Sequence, residues 1–356
     1  MAQLPTKSNR IVEFDWLKLF ALLLIIFVHS DLYFVFPEII FPTQWFLVSC
    51  FFFVSGFLAY DSLHKRGSNI WKFLRTKILF LYVPFVIVSL FYYLLQIILS
   101  RSELNLIQLL SQITLINLID VFNSAYNWDF LWFIPYLLLF MIIFSFLEKY
   151  IISSKTQIVL IISLWFTTIL AWAVNISLKL GQVFSQYFLI FIFGFWLNKF
   201  SKYEKITKTK ISLILIPLIV LFSIDFSNFF SYETTIEALK YLLYSNGRSV
   251  IFSLSAILLV LLILRKIKIP RNSFVEWISR ISILIYFLDP FFGYVISNYV
   301  FMKSNITFQN GLIFWYFILL RIVVLFFILP FILSSLNKLL GRNQLLVKIK
   351  KIKHKK

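Results

Sequence analysis

The chain has 356 residues, of which 61% are hydrophobic and 14% charged, and its mean hydropathy is +0.90. A soluble domain is about 45–50% apolar and about 25% charged, so composition excludes a soluble enzyme, and the same apolar excess excludes a disordered chain. The net charge of +19, from 34 basic and 15 acidic residues, would suggest nucleic acid in a soluble protein; here its distribution along the chain assigns it mostly to membrane topology, and no nucleic acid partner is expected.

Ten apolar segments follow one another: 15–33, 43–60, 78–99, 129–147, 157–175, 182–198, 211–226, 248–264, 279–300 and 311–336. At about 20 residues per crossing, each is a candidate span. Lipid demands internally satisfied backbone, so helices are the natural reading; barrel strands would alternate in polarity, and these segments do not. The first segment follows Lys7 and Arg10 as in a signal peptide, but no small-residue cleavage site comes after it, and it reads as an uncleaved span. With the N-terminus in the cytoplasm and alternate crossing, 28 Lys and Arg residues fall inside, 5 fall outside, and Arg321 falls within a span. That asymmetry follows the positive-inside rule. The sequence therefore predicts an all-α, polytopic membrane protein of about ten transmembrane helices with both termini cytoplasmic. An integral membrane domain is expected over 1–340, and 341–356 is expected to be a basic cytoplasmic tail on anionic lipid. The two longer outside loops, 100–128 and 227–247, contain stretches (Leu104–Ile119 and Thr234–Tyr244) suited to short interfacial helices. No internal repeat is visible, which weakens an inverted-repeat transporter.

A single cysteine, Cys50, excludes an internal disulfide framework and a CxxC pair. With only His29, His64 and His354 as histidines, no metal site and no bound cofactor are expected. Ionisable groups inside lipid are costly and are the first functional candidates; here they are Lys18, His29, Asp289 and Arg321. Lys18 and His29 are eleven residues apart, close to three helical turns, so they share a face, with His29 about 16 Å deeper. A buried imidazole is biased toward its neutral form and can accept a proton from a hydroxyl; spacing alone equally allows a packing histidine bonded to a neighbouring helix. Asp289 lies about ten residues into the ninth segment and Arg321 about ten into the antiparallel tenth, so both reach similar depth. The sequence predicts an Asp289–Arg321 ion pair, structural or site-supporting, because a pair offsets the cost of each buried charge. Ser55-Gly56 predicts a close helix approach, and Pro84, Pro135, Pro217, Pro290 and Pro330 predict kinks.

These residues carry a resemblance. Asp15-x-Leu17-Lys18-x-x-Ala21 followed by His29 resembles the opening helix of the acyltransferase type 3 membrane family, with Lys where that family usually has Arg. Phe51-Phe52-Phe53-Val54-Ser55-Gly56-Phe57-Leu58 resembles its second helix. Lys72-Phe73-Leu74-Arg75-Thr76-Lys77, with Pro84 beyond, resembles its basic loop. Trp128-Asp129-Phe130-Leu131-Trp132-Phe133 and the late stretch Ile278 to Tyr286 resemble two further helices. The matches run in family order from Asp15 to Pro290, although Asp289 stands where the family often has His.

The resemblance implies a membrane O-acyltransferase of the cell membrane, most readily a bacterial plasma membrane. It would move an acetyl or similar short acyl group from cytoplasmic acyl-CoA, with acetyl-CoA as donor substrate, to a hydroxyl of a surface polysaccharide or its lipid-linked precursor. His29 is then expected either to activate the hydroxyl as general base or to carry the acyl group, and Lys18 to position the donor or to steady developing negative charge. Arg66, Lys72, Arg75 and Lys77, in the basic 64–77 loop, are the expected contacts for the CoA phosphates; topology and lipid-head contact are the alternative reading of that loop. A glycan-handling transporter or polymerase without an acyl donor would share the spans, the basic inner face and the outside loops. The Lys18–His29 pairing in its motif favours the enzyme.

Overall fold

The structure, a computed structural model, describes residues 10–28, 37–64, 69–100, 110, 113, 132–151, 154–173, 179–200, 212–223, 235–291, 311–329 and 331. Among them the architecture is all-helical. The helices are α1 (Val12–Phe27), α2 (Pro37–His64), α3 (Ile70–Lys77), α4 (Val83–Ser100), α5 (Phe133–Tyr150), α6 (Ser154–Ala173), α7 (Lys179–Lys199), α8 (Ser212–Ser223), α9 (Thr235–Lys266), α10 (Ser273–Pro290) and α11 (Gly311–Val323). Four stretches among the described residues are long and apolar enough to cross a bilayer: Phe46–His64, Ile70–Leu95, Phe133–Tyr150 and Leu243–Lys266. Lys155–Thr167 and Ile318–Ile328 are apolar but shorter.

The polarity is turned outward in a way that fits lipid. Phe80, Ile98 and Trp71 are each more than two-thirds exposed, and Ile87, Val159, Ile214 and Leu319 are also exposed. Buried among the helices are Asp15, Ser185, Asn246, Arg248, Glu276, Asp289 and Arg321. Apolar exteriors of this extent mark contact with a membrane or a partner rather than with water.

Two sequence expectations are corrected. The basic loop expected over 64–77 is helical from Ile70 onward. The Asn69 side chain caps this helix by accepting the Lys72 N–H at 2.9 Å, which satisfies one of the free donors of the first turn. Ile70, Phe73 and Leu74 are buried on one face, while Trp71, Lys72 and Arg75 are exposed on the other. That is an amphipathic helical pattern which the charge density disguised as loop. The second correction concerns 227–247 and the span expected to begin at 248. Thr235–Lys266 is one 32-residue helix, about 48 Å long at 1.5 Å per residue, with no break at Gly247. A lone glycine costs a helix only about 1 kcal/mol, too little to interrupt so long an apolar run.

Proline leaves a specific trace. A π-helical turn, Ile78–Tyr82, joins α3 to α4, and its closing bond runs from the Val83 N–H to the Ile78 carbonyl. The next residue, Pro84, has no N–H to donate, and the wider turn absorbs the missing bond. A second π turn, Val324–Ile328, extends α11 and closes from the Leu329 N–H to the Val324 carbonyl; Pro330 comes next in the sequence.

The centre of the bundle is the crossing of α2 and α7. A Cβ at Gly56 would lie 2.0 Å from the Phe191 carbonyl oxygen, and one at Gly194 would lie 2.2 Å from that of Phe53. The two backbones are thus in direct contact, which only glycine permits. Asn198 adds a bond from its side-chain amide to the Phe57 carbonyl at 2.7 Å. Around the crossing packs an aromatic core, with Phe140 beside Phe52, Phe184, Phe188 and Phe191. Helix α1 lies against α2, α9, α10 and α11, and Phe14, Asp15, Leu17, Ala21, Leu22 and Ile25 are buried there while Phe20 is exposed.

Candidate active site

At its N-terminal end α1 is fastened to α10 by charge. Arg10 donates from Nε to Asp15 Oδ2 at 2.6 Å and from Nη2 to Asp15 Oδ1 at 2.8 Å. This two-pronged geometry is the strongest form of ion pair available to arginine. Arg10 Nη2 also donates to the Glu276 backbone carbonyl at 3.0 Å. The Glu276 carboxylate accepts from Arg271 Nε, with Arg280 3.7 Å away. Bonding to Asp15 raises the Arg10 pKa above its ordinary value, against the opposing effect of partial burial. Glu276 lies in the first turn of α10, where a carboxylate also favours the helix dipole. The helix begins at Asn272, whose side chain accepts the Phe274 N–H at 2.8 Å. The sequence reading used Asp15 only as a motif letter and passed over Glu276. The available signal was their position: two acidic residues at the starts of apolar helices, among basic neighbours.

Lys18 comes three residues after Asp15, on the same helical face. It is partly buried. Its ammonium makes no ion pair or hydrogen bond with another described residue, and the Asp15 carboxylate is held instead by Arg10. His29 and Arg66 lie outside the described residues. Phe27 and Val28, the last described residues of this segment, pack against Ile318 of α11 together with Ile322. Lys72 and Arg75 are exposed on α3, and Lys77 is partly buried with its ammonium 5.4 Å from the centre of the Phe73 ring.

Asp289 and Arg321 are brought together in the interior. Arg321 donates from Nε to Asp289 Oδ1 at 2.8 Å, with Nη2 2.5 Å from the same oxygen. Nη2 also reaches the Asp289 backbone carbonyl at 3.1 Å. Both side chains are essentially sealed, at 1% exposure or less. The arginine thus meets both a carboxylate and the negative carbonyl end of α10. Nearby, the Tyr92 hydroxyl donates to the Phe287 carbonyl at 2.7 Å. A separate polar cluster joins α6, α7 and α9: Trp165 Nε1 donates to the Ser185 carbonyl at 2.7 Å, and Ser185 Oγ to Asn246 Oδ1 at 2.9 Å. Arg248 is buried in α9 with Nε donating to the Phe222 carbonyl at 2.9 Å.

A family model described as an acyltransferase domain matches residues 11–341, nearly the whole chain. The chain belongs to the acyltransferase type 3 family. No curated protein and no solved structure matches it. Membership makes it an acyltransferase, and its apolar helices make it a membrane protein. Within this fold, the family-like stretches of α2, α5 and α10 converge on one aromatic junction. Phe52 meets Phe133 at a ring-centroid distance of 4.8 Å, and Phe133 meets Tyr286 at 5.6 Å. Tyr187 of α7 stacks on Phe52 at 5.1 Å. The motif residues that are far apart in sequence therefore form one packed block.

Proposed function

We propose that this acyltransferase moves an acetyl or similar short acyl group from cytoplasmic acyl-CoA to a hydroxyl of a surface polysaccharide or its lipid-linked precursor. The observation that carries this reading is Lys18. It is a cation on the family's opening helix, partly buried among helices and without a described partner, at the position from which the chain runs on to His29. Acyl-CoA brings phosphates and, during transfer, a developing oxyanion, and an unpaired cation in a low-dielectric site stabilises either.

Two routes use His29. As general base it takes the proton of the sugar hydroxyl while that oxygen attacks the thioester carbonyl; the C–S bond then breaks and the CoA thiolate takes up a proton. As carrier, the imidazole attacks the thioester, CoA leaves, and the sugar hydroxyl displaces histidine from the acyl group. The basic residues Arg66, Lys72, Arg75 and Lys77 serve the CoA phosphates from the inner side, as cationic clusters do for such anions. The protein carries no bound cofactor in this scheme and sits in the plasma membrane, crossing it about ten times, with the 341–356 tail inside.

Radiolabelled acetyl-CoA supplied to membranes containing the protein tests the proposal. Label should pass to a membrane glycan in parent membranes and not in membranes lacking the protein. If glycan chemistry changes with the protein present but no label is transferred, the chain would instead be a transporter or polymerase without an acyl donor, which family membership disfavours.

A further inference from the structure

The geometry around Asp15 assigns a role to Arg10 that does not require it to touch substrate. We propose that Arg10 is a positioning residue: by occupying both carboxylate oxygens of Asp15, it keeps the Lys18 ammonium unpaired and available to an anionic group of the acyl donor. This rests on the reading of Lys18 as the donor-facing cation.

Asp15 and Lys18 are helical neighbours at i and i+3, a spacing at which opposite charges pair readily. Asp15 is 5% exposed, so its carboxylate needs a partner, since an unpaired buried charge is strongly disfavoured. Two cations compete for it, and the competition is decided by shape. The planar Arg10 fork takes both oxygens, at 2.6 and 2.8 Å, whereas an ammonium is a point charge that would take one. Arg10 is held in place from the other side by the Glu276 carbonyl at 3.0 Å. Glu276 in turn is held by Arg271 and lies 3.7 Å from Arg280. Asp15 and Glu276, the two buried carboxylates at this end of α1 and α10, are therefore both paired with arginine. Lys18 is the cation left over. Without Arg10, Asp15 would turn to Lys18 and neutralise the charge that the donor is to meet. The donor class is a phosphate-bearing thioester, with acetyl-CoA as the probe.

The test is acetyl-CoA binding to the full-length protein in detergent, with each variant first shown to elute as the parent does. Lys18→Gln and Arg10→Ala should each weaken binding by about tenfold. The two effects should not add, because both act through Lys18. Arg10→Ala combined with Asp15→Asn should recover binding to within about threefold of the parent, since the competing carboxylate is gone. A merely structural clasp would show its loss and recovery in folded yield and thermal stability, and would leave the acetyl-CoA affinity of the protein that elutes as the parent does unchanged in Arg10→Ala. If Arg10→Ala does not yield folded protein, Arg10→Lys carries the test with an intermediate loss that Asp15→Asn again relieves. Weak binding by Lys18→Gln with no recovery in the double variant overturns the role of Arg10 and leaves Lys18 standing. Parent-like binding by Lys18→Gln overturns the reading of Lys18, and the role of Arg10 with it.

Discussion

His29 is the residue on which the proposed chemistry turns. His29→Ala should abolish label transfer from acetyl-CoA while leaving the amount of protein in the membrane near that of the parent; transfer that survives would remove it from the reaction. His64 provides the contrast. It is exposed at the end of α2, its Nδ1 3.0 Å from the Tyr60 carbonyl and its ring over Tyr60, and His64→Ala should transfer label as the parent does. The sealed pair behaves differently again. Asp289→Asn and Arg321→Gln should each cost about 3–5 kcal/mol, because each strands a buried charge. Folded yield after solubilisation should fall in both and rise again in part when the two changes are combined. A double variant no better than the worse single one would mean that each residue has a second obligation of its own. The pairing itself was legible in the sequence, because residue counting along two antiparallel segments needs no knowledge of packing. The Arg10–Asp15–Glu276 cluster was not, because Arg10 and Glu276 are 266 residues apart and nothing local announces that α1 and α10 begin side by side.

The helices were more legible than their ends. Hydropathy marks an apolar run, but termini are set by caps such as Asn69 and Asn272 and by long-range contacts. Thus α3 was hidden by its charges and the start of α9 by its polar first turns. Ser55-Gly56 did announce a close approach, although its partner, Gly194, could be found only in three dimensions. This crossing makes a sharp expectation. Gly56→Ala and Gly194→Ala would drive a Cβ into backbone carbonyls at 2.0 and 2.2 Å. Backbone cannot step aside as a side chain can, so α2 and α7 must separate. The cost should reach or exceed the roughly 1–3 kcal/mol of ordinary overpacking, seen as a lower unfolding temperature in detergent. Gly247 sits in α9 with nothing within 4 Å of where its Cβ would be. Gly247→Ala should therefore be neutral or stabilise by up to about 1 kcal/mol. If all three variants melt alike, the α2–α7 contact is not what holds the bundle.

At the scale of the whole molecule, the question is how the bundle sits in its bilayer. The proposed arrangement places both termini inside, on the strength of 28 basic residues against 5. Cys50, the single cysteine, is fully buried, so a newly introduced surface thiol can be read against a quiet background. On intact cells an impermeant maleimide should label Ser102→Cys and spare Lys350→Cys, and permeabilisation should expose the latter; the reverse pattern would invert the topology. The clasp between Arg10, Asp15 and Glu276 also has a consequence for biogenesis. The first helix to leave the ribosome finds its fastening only when α10 has been made, after three-quarters of the chain. Until then its Arg10–Asp15 pair stands without the Glu276 carbonyl that ties it to α10. A nonsense codon shortly before Glu276 should thus be no milder than one near the start, and the truncated product should be recognised and destroyed by membrane quality control.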